Sequence, residues 1–135
     1  MTKPQLQLEQ PWQKTVTDLL DHLGWHWLHV FPLRTKHGWR TPTAGPLGKG
    51  WVDLLASRGD WWLLIEVKGE TTILEPDQHA VLSLLSGKPY TLTWVLRPTD
   101  DISEIARWLA KPAQAPTTYG FNPGEFTRPK ARKRT

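Results

Sequence analysis

The sequence predicts an α/β fold in which helices flank a mixed β-sheet, and three observations carry that expectation. Apolar residues near the N-terminus recur with helical period. Two short apolar runs in the middle are separated only by Arg58-Gly59-Asp60. A helix-type segment, an apolar strand and a capped helix then follow. The order is helix, strand, strand, strand, helix, strand, helix (αβββαβα). Strands joined by so short a turn run antiparallel, whereas a strand reached through a helix can return parallel.

Trp12, Val16, Leu19, Leu20 and Leu23 fall at i, i+4, i+7, i+8 and i+11, the stripe of an amphipathic helix over about 9 to 23. Pro11 suits its first turn and Gly24 its end. Trp25 to Phe31 is aromatic and branched and reads as a strand closed by Pro32. Residues 32 to 50 are dense in Gly, Pro and cations without periodicity, and are expected to form a long loop, of a length that is usually functional or disordered.

Trp51 to Ser57 and Trp61 to Lys68 read as a hairpin, with Gly59 leading its tight turn. Pro76 opens a second helix, with Ala80, Val81, Leu84 and Leu85 expected to face inward and Gly87 to mark the end. Tyr90 to Leu96 is a strand. Asp101 and Glu104 have capping-box spacing, ahead of a third helix whose buried face is Ile102, Ile105, Ala106 and Leu109. These elements place one domain in residues 1 to 111. The Pro-rich, basic remainder, 112 to 135, is expected not to fold by itself.

A chain of 135 residues has room for a single core. It contains no cysteine, which excludes disulfides, thiolate catalysis and cysteine-bound zinc. No apolar run is long enough for a membrane span, and the N-terminus lacks the core of a secretory signal, so a cytoplasmic protein with no membrane partner is expected. The net charge of +4 is concentrated in residues 128 to 134, which carry five cations and no anion. The rest of the chain has twelve basic against thirteen acidic residues, so a polyanion must meet a local patch there, while the tail adds sequence-independent phosphate attraction.

The chemistry converges on the hairpin. Glu66 interrupts an apolar strand, and Lys68 lies on the same side because side chains alternate with period two. If Gly59 and Asp60 are the central turn residues, partner numbers sum to 119 and Asp53 lies opposite Glu66. Two carboxylates about 5 Å apart repel unless a cation lies between them, and Mg2+ or Mn2+, which prefer oxygen ligands, suit that gap. The plainer reading makes Glu66 and Lys68 a solvent-facing ion pair and Asp53 a strand cap. Against it, the strand is apolar on both faces.

The segment GKGWVDLLASRGDWWLLIEVKGE resembles the core of the PD-(D/E)xK nucleases, and more narrowly of their VRR-NUC family, which is related to Holliday junction resolvases. The resemblance extends to Glu9 and Gln13, to the Gly-rich loop before Asp53, to Pro76 through Gln78, and to WVLRPTDDISEIARWL. It spans roughly residues 9 to 110. One departure is Val52, where the family usually has proline.

The resemblance implies a restriction-endonuclease-like sheet and a magnesium- or manganese-dependent endonuclease hydrolysing DNA, selective for flapped, branched or four-way structures. By position it implies that Asp53, Glu66 and the Val67 carbonyl bind the metal, that Glu9 completes its environment, and that Lys68 orients the attacking water and offsets charge on the phosphorane. Glu9 otherwise simply favours the positive end of its helix. Gln78 either contacts phosphate or water near Lys68 or only stabilises its helix end. Arg34, Lys36, His37, Arg40 and Lys49 precede Asp53 in a loop able to approach DNA, or they form a solvated surface.

None of the five histidines has compact zinc spacing, although His29 lies toward the catalytic end. Most of the nine tryptophans are expected in the core or an interface, and some could stack on unpaired bases. Resemblance to resolvases also implies a homodimer. The rival readings are a non-catalytic nucleic-acid-binding module on the same scaffold and a nuclease of another specificity, for RNA or of restriction type.

Overall fold

Gly59 at φ 58° closes a two-residue hairpin between β4 (Leu54–Arg58) and β5 (Trp61–Val67). Only the first of the two central residues is left-handed, as a type II′ turn requires. Arg58 pairs with Trp61 and Leu54 with Ile65, so partner numbers sum to 119 as the turn predicts. The computed structural model describes the backbone of residues 3–30, 33–40 and 44–123, and the side chains of 11–30, 36–38 and 44–123.

Around this hairpin a five-stranded mixed sheet is built in the order β1-β4-β5-β6-β7. β1 (His26–His29) and β4 are antiparallel neighbours. On the other side β6 (Thr91–Leu96) runs parallel to β5, and β7 (Thr118–Tyr119) parallel to β6. The connection from β5 to β6 is α2 (Pro76–Leu85), and that from β6 to β7 contains α3 (Ile102–Ala110).

Alternation sorts the sheet into two cores. Leu54, Ala56, Leu63, Ile65, Val67, Leu92, Trp94 and Leu96 face α1 (Lys3–His22) and α3 and pack with Trp12, Val16, Leu20, Ile105 and Leu109. Leu64 and Val95 point the other way, to α2, and close a smaller core with Val52 and Leu82. Asp101 starts α3 by accepting the Ser103 and Glu104 amides, as its capping spacing predicts.

Several expectations are corrected. α1 begins at Lys3, so Pro11 lies inside the helix rather than in its first turn. The stretch expected to be a loop contains a two-stranded ribbon, β2 (Leu33–Thr35) with β3 (Gly38–Arg40). Strands this short leave no periodic signal. On α2 the buried residues are Val81 and Leu82, while Leu84 is 60% exposed. The apolar residues of that helix are spread around it, and the face that wins carries Gln78, Val81, Leu82 and Leu85 at i, i+3, i+4 and i+7. Ile102 on α3 is 37% exposed rather than buried.

The domain also extends past residue 111. Pro112–Gln114 form a 3-10 turn, β7 adds to the sheet, and the Trp94 indole N–H donates to the Pro116 carbonyl at 2.9 Å. A two-residue strand within a Pro-rich segment is invisible to pattern, yet a fully buried tryptophan depends on its approach. Residues 124–135, including the basic run, lie outside the described residues. Among the described residues no helix is long and apolar enough to cross a membrane.

Candidate active site at the end of the central strands

Continuing the β4–β5 register by one residue brings Asp53 opposite Glu66. Asp53 precedes the first residue of β4, at a bend, and is held from two sides. Its carbonyl accepts the Val30 amide at 2.8 Å, and its Oδ2 accepts the Val67 amide at 2.8 Å. The carboxylate thus takes the place of a strand partner at the β5 end. The N–H and C=O of one strand residue point to the same edge, so the Val67 carbonyl also faces the Asp53 side.

Glu66 and Lys68 share the opposite-parity positions of β5 and its exit, on the α2 side of the sheet. Glu66 is fully buried and Lys68 is 2% exposed, with Nζ 3.4 Å from Glu66 Oε1. This excludes the solvent-facing ion pair. Lys68 continues the β6 ladder through its amide, which donates to the Leu96 carbonyl at 3.0 Å. Gln78 supplies a third contact: its Nε2 donates to Glu66 Oε1 at 2.9 Å, while its own Oε1 accepts the Glu75 amide at 2.9 Å. The two readings of Gln78 therefore merge, since one side chain both caps α2 and reaches into the site.

Burial foremost, and then the neighbouring Asp53 carboxylate, push the Glu66 pKa well above the usual carboxylate range against the opposing pull of Lys68. Glu66 Oε2 is buried and finds no hydrogen-bond partner among the described residues. The two carboxyl groups can bond to one another only if one carries a proton; as two anions they need a cation between them. An orphaned carboxylate oxygen beside a second carboxylate, with no sulfur donor near, fits a hard divalent ion. No group of three or more His, Cys, Asp or Glu able to hold a metal occurs among the described residues. The Glu9 side chain lies outside them; its backbone is on α1, one turn before Gln13.

The loops around the pair are fixed by contacts that sequence reasoning missed. Arg97, the first residue after β6, donates through one guanidinium nitrogen to the carbonyls of Gly69 at 2.8 Å and Thr72 at 2.6 Å. It thereby pins the chain just after Lys68. Asp100 accepts both the Arg97 amide and the Tyr119 hydroxyl at 2.7 Å, and that bond raises the Tyr119 pKa to about 12. A cation directly after an apolar strand was the available signal for Arg97. Gly50, at φ 88°, lies so close to the Asp77 backbone that any Cβ would collide with it, which seats the Gly-rich loop against the start of α2.

Of the loop cations, Lys49 pairs with Asp77 at 3.3 Å near the α2 start, and Lys36 and His37 lie on the turn of the β2–β3 ribbon. The side chains of Arg34 and Arg40 lie outside the described residues. His29 stands at the site end of β1 but pairs with Leu54 and so faces α1, on the other side of the sheet from Glu66. There Gln13 Nε2 approaches its ring nitrogens to 2.9 and 2.7 Å, and burial lowers its pKa.

Comparison of the chain with protein-family models, curated proteins and solved structures finds no match.

Proposed function

We propose that this protein is a metal-dependent endonuclease that hydrolyses DNA phosphodiesters, with a VRR-NUC-like arrangement on a restriction-endonuclease-like sheet. The observation that supports this most is Glu66: a buried carboxylate with an orphaned oxygen, set beside Asp53 and within reach of the buried Lys68. A structural ion pair has no need of the second carboxylate, and a second carboxylate raises the cost of burying the first.

Asp53, Glu66 and the Val67 carbonyl would hold Mg2+ or Mn2+, with Glu9 as the fourth contributor that the resemblance implies. When bound, such an ion supplies a sharpened water nucleophile and offsets charge building on the phosphate. The chain's own groups do the rest. Lys68 orients the attacking water and stabilises the extra negative charge on the phosphorane, an interaction strengthened by its burial. Water adds its oxygen to phosphorus as the bond to the leaving sugar oxygen breaks; the attacking water gives up a proton to solvent, and the leaving oxygen takes one up from solvent to become the hydroxyl. Gln78 holds the Glu66 carboxylate in one orientation, and Arg97 keeps the exit of β5 in place. A homodimer, which a resolvase-like cut of two strands needs, forms part of the same proposal.

Cleavage of single-stranded, duplex, flapped and four-way DNA, and of RNA, measured with Mn2+ and with EDTA, tests the reading. Metal-dependent products that disappear in Glu66→Gln are expected. Tight binding of these substrates without cleavage of any would leave a binding module instead.

A further inference from the structure

Of the nine tryptophans, the Trp39 side chain lies outside the described residues, and the other eight divide clearly. Trp12, Trp25 and Trp94 are core, Trp61 and Trp108 pack edge-on against Tyr90 and Tyr119, and Trp51 lines the smaller core. Trp27 is partly exposed on the α1 side, with its indole N–H bonded to Asp21. Trp62 differs from all of these. It has the parity of Glu66 and Lys68 on β5, points to the same face, and is 49% exposed.

Register defines what surrounds it. Across the sheet on that face, Trp62 is flanked by Ser57 and Thr91, with His26 beyond Ser57, and the next row toward the site includes Leu64, Leu55 and Leu28. α2 covers Leu64, but Leu28 is 57% exposed. Between α2 and the edge strand β1, among the described residues, the sheet is only partly covered: Leu28 is exposed, Ser57 is half-buried, and Leu55 is half-buried against the smaller core, and none of the three carries a charge. One end of this stretch is the half-buried Asp53, beside the enclosed Glu66. The other is Trp62, four residues and about 13 Å along the strand.

We infer that Trp62 is a stacking subsite for an unpaired nucleobase a few nucleotides from the phosphate held at Asp53 and Glu66, an inference that rests on the nuclease reading of that pair. An uncharged stretch suits the face of a base and not a phosphate. An indole at the end of it offers the sequence-tolerant stacking by which single strands are held. At the duplex rise of about 3.4 Å per nucleotide, 13 Å is some four stacked nucleotides, and fewer in an extended strand. Paired bases keep their faces inside the stack, so the occupant is a single strand or a frayed end.

A second copy of the chain fits this stretch less well. Trp62 shows about half of the 150–250 Å² an aromatic side chain can bury, and with Leu28 the exposed apolar area is roughly 200 Å². A stable interface takes about 800 Å² from each partner.

The test uses the full chain in EDTA, so that binding is read apart from turnover. Fluorescein-labelled oligothymidylate of about twelve nucleotides and the same strand annealed to its complement are titrated by anisotropy. Trp62→Ala is expected to weaken single-strand binding about tenfold, Trp62→Phe to keep most of it, and duplex binding to stay unchanged. An abasic position that weakens binding by the wild type and not by Trp62→Ala locates the stacked base. Unchanged affinity in Trp62→Ala, equal losses on duplex, or no single-strand binding by the wild type each overturn the inference. So does a dimer in sedimentation that Trp62→Ala dissociates. Cleavage with Mn2+ is scored separately: a tryptophan effect without any cleavage leaves the subsite and removes the nuclease, and cleavage without a tryptophan effect does the reverse.

Discussion

At the scale of single residues the site is decided by what burial does to charge. Lys68 has 3% of its side chain exposed and sits 3.4 Å from a carboxylate that is itself wholly enclosed. If it acts mainly as negative charge grows on the phosphate, Lys68→Ala lowers single-turnover cleavage by about 10² to 10³ while substrate affinity changes little. Wild-type rates from a folded Lys68→Ala protein would remove it from the mechanism. Glu66 makes a different prediction. Its raised pKa means that the folded chain holds a proton that the unfolded chain releases from about pH 4.3 upward. The native state then binds more protons, so metal-free stability falls as pH rises through that window, and Glu66→Gln flattens the fall. Melting curves in EDTA from about pH 4 to pH 8 read both slopes; equal slopes would place the effect elsewhere. Glu66 and Lys68 were legible in the sequence because alternation along a strand is local information. Arg97 was not, because its role depends on which carbonyls the next loop brings to it.

Among the elements, the hairpin was the most legible, since a two-residue turn fixes every pair above it and one glycine marks the turn. From Gly59 alone the pairing of Asp53 with Glu66 follows, although the strand proper begins only at Leu54. α2 shows the opposite case. Its apolar residues left the buried face undetermined, and the polar tie from Gln78 to Glu66 selects it. Gln78→Ala removes an acceptor from the Glu75 amide and a donor from a buried carboxylate at once. The expected loss is about 1–2 kcal/mol in urea denaturation, with a lower cleavage rate as Glu66 loses its orientation. A cost in stability without any change in rate would restrict Gln78 to capping the helix. The β2–β3 ribbon and β7 escaped detection because strands of two or three residues are held by pairing and not by their own pattern.

At the scale of the whole molecule the sequence suggested a domain ending at residue 111 and a basic tail after it, whereas ordered elements continue beyond 111 among the described residues. The segment after α3 returns across the α1 side of β6 to supply the acceptor for Trp94 at Pro116, the acceptor for the Thr93 amide at Thr117, and Tyr119 for Asp100 and Trp108. A chain ending at residue 111 would bare the Trp94 indole and exchange two hydrogen bonds, from the Trp94 indole N–H and the Thr93 amide, for bonds to water. Each exchange costs about 0.5–1.5 kcal/mol, and the apolar area bared around Trp94 adds to it, which together is a large share of a domain's usual stability. A chain ending at 123 keeps all of these bonds and packing partners but lacks the five cations of residues 128 to 134. It is expected to melt with the full-length protein and to cleave at low salt, but to bind DNA more weakly, with a slope of log affinity against log salt reduced by up to about 0.9 for each phosphate no longer neutralised. Comparing the two truncations by urea denaturation and by DNA titration at several salt concentrations separates fold from electrostatics. Equal stability of the chain ending at 111 would return the domain boundary to α3, and an unchanged salt slope in the chain ending at 123 would show that the tail takes no part in holding DNA.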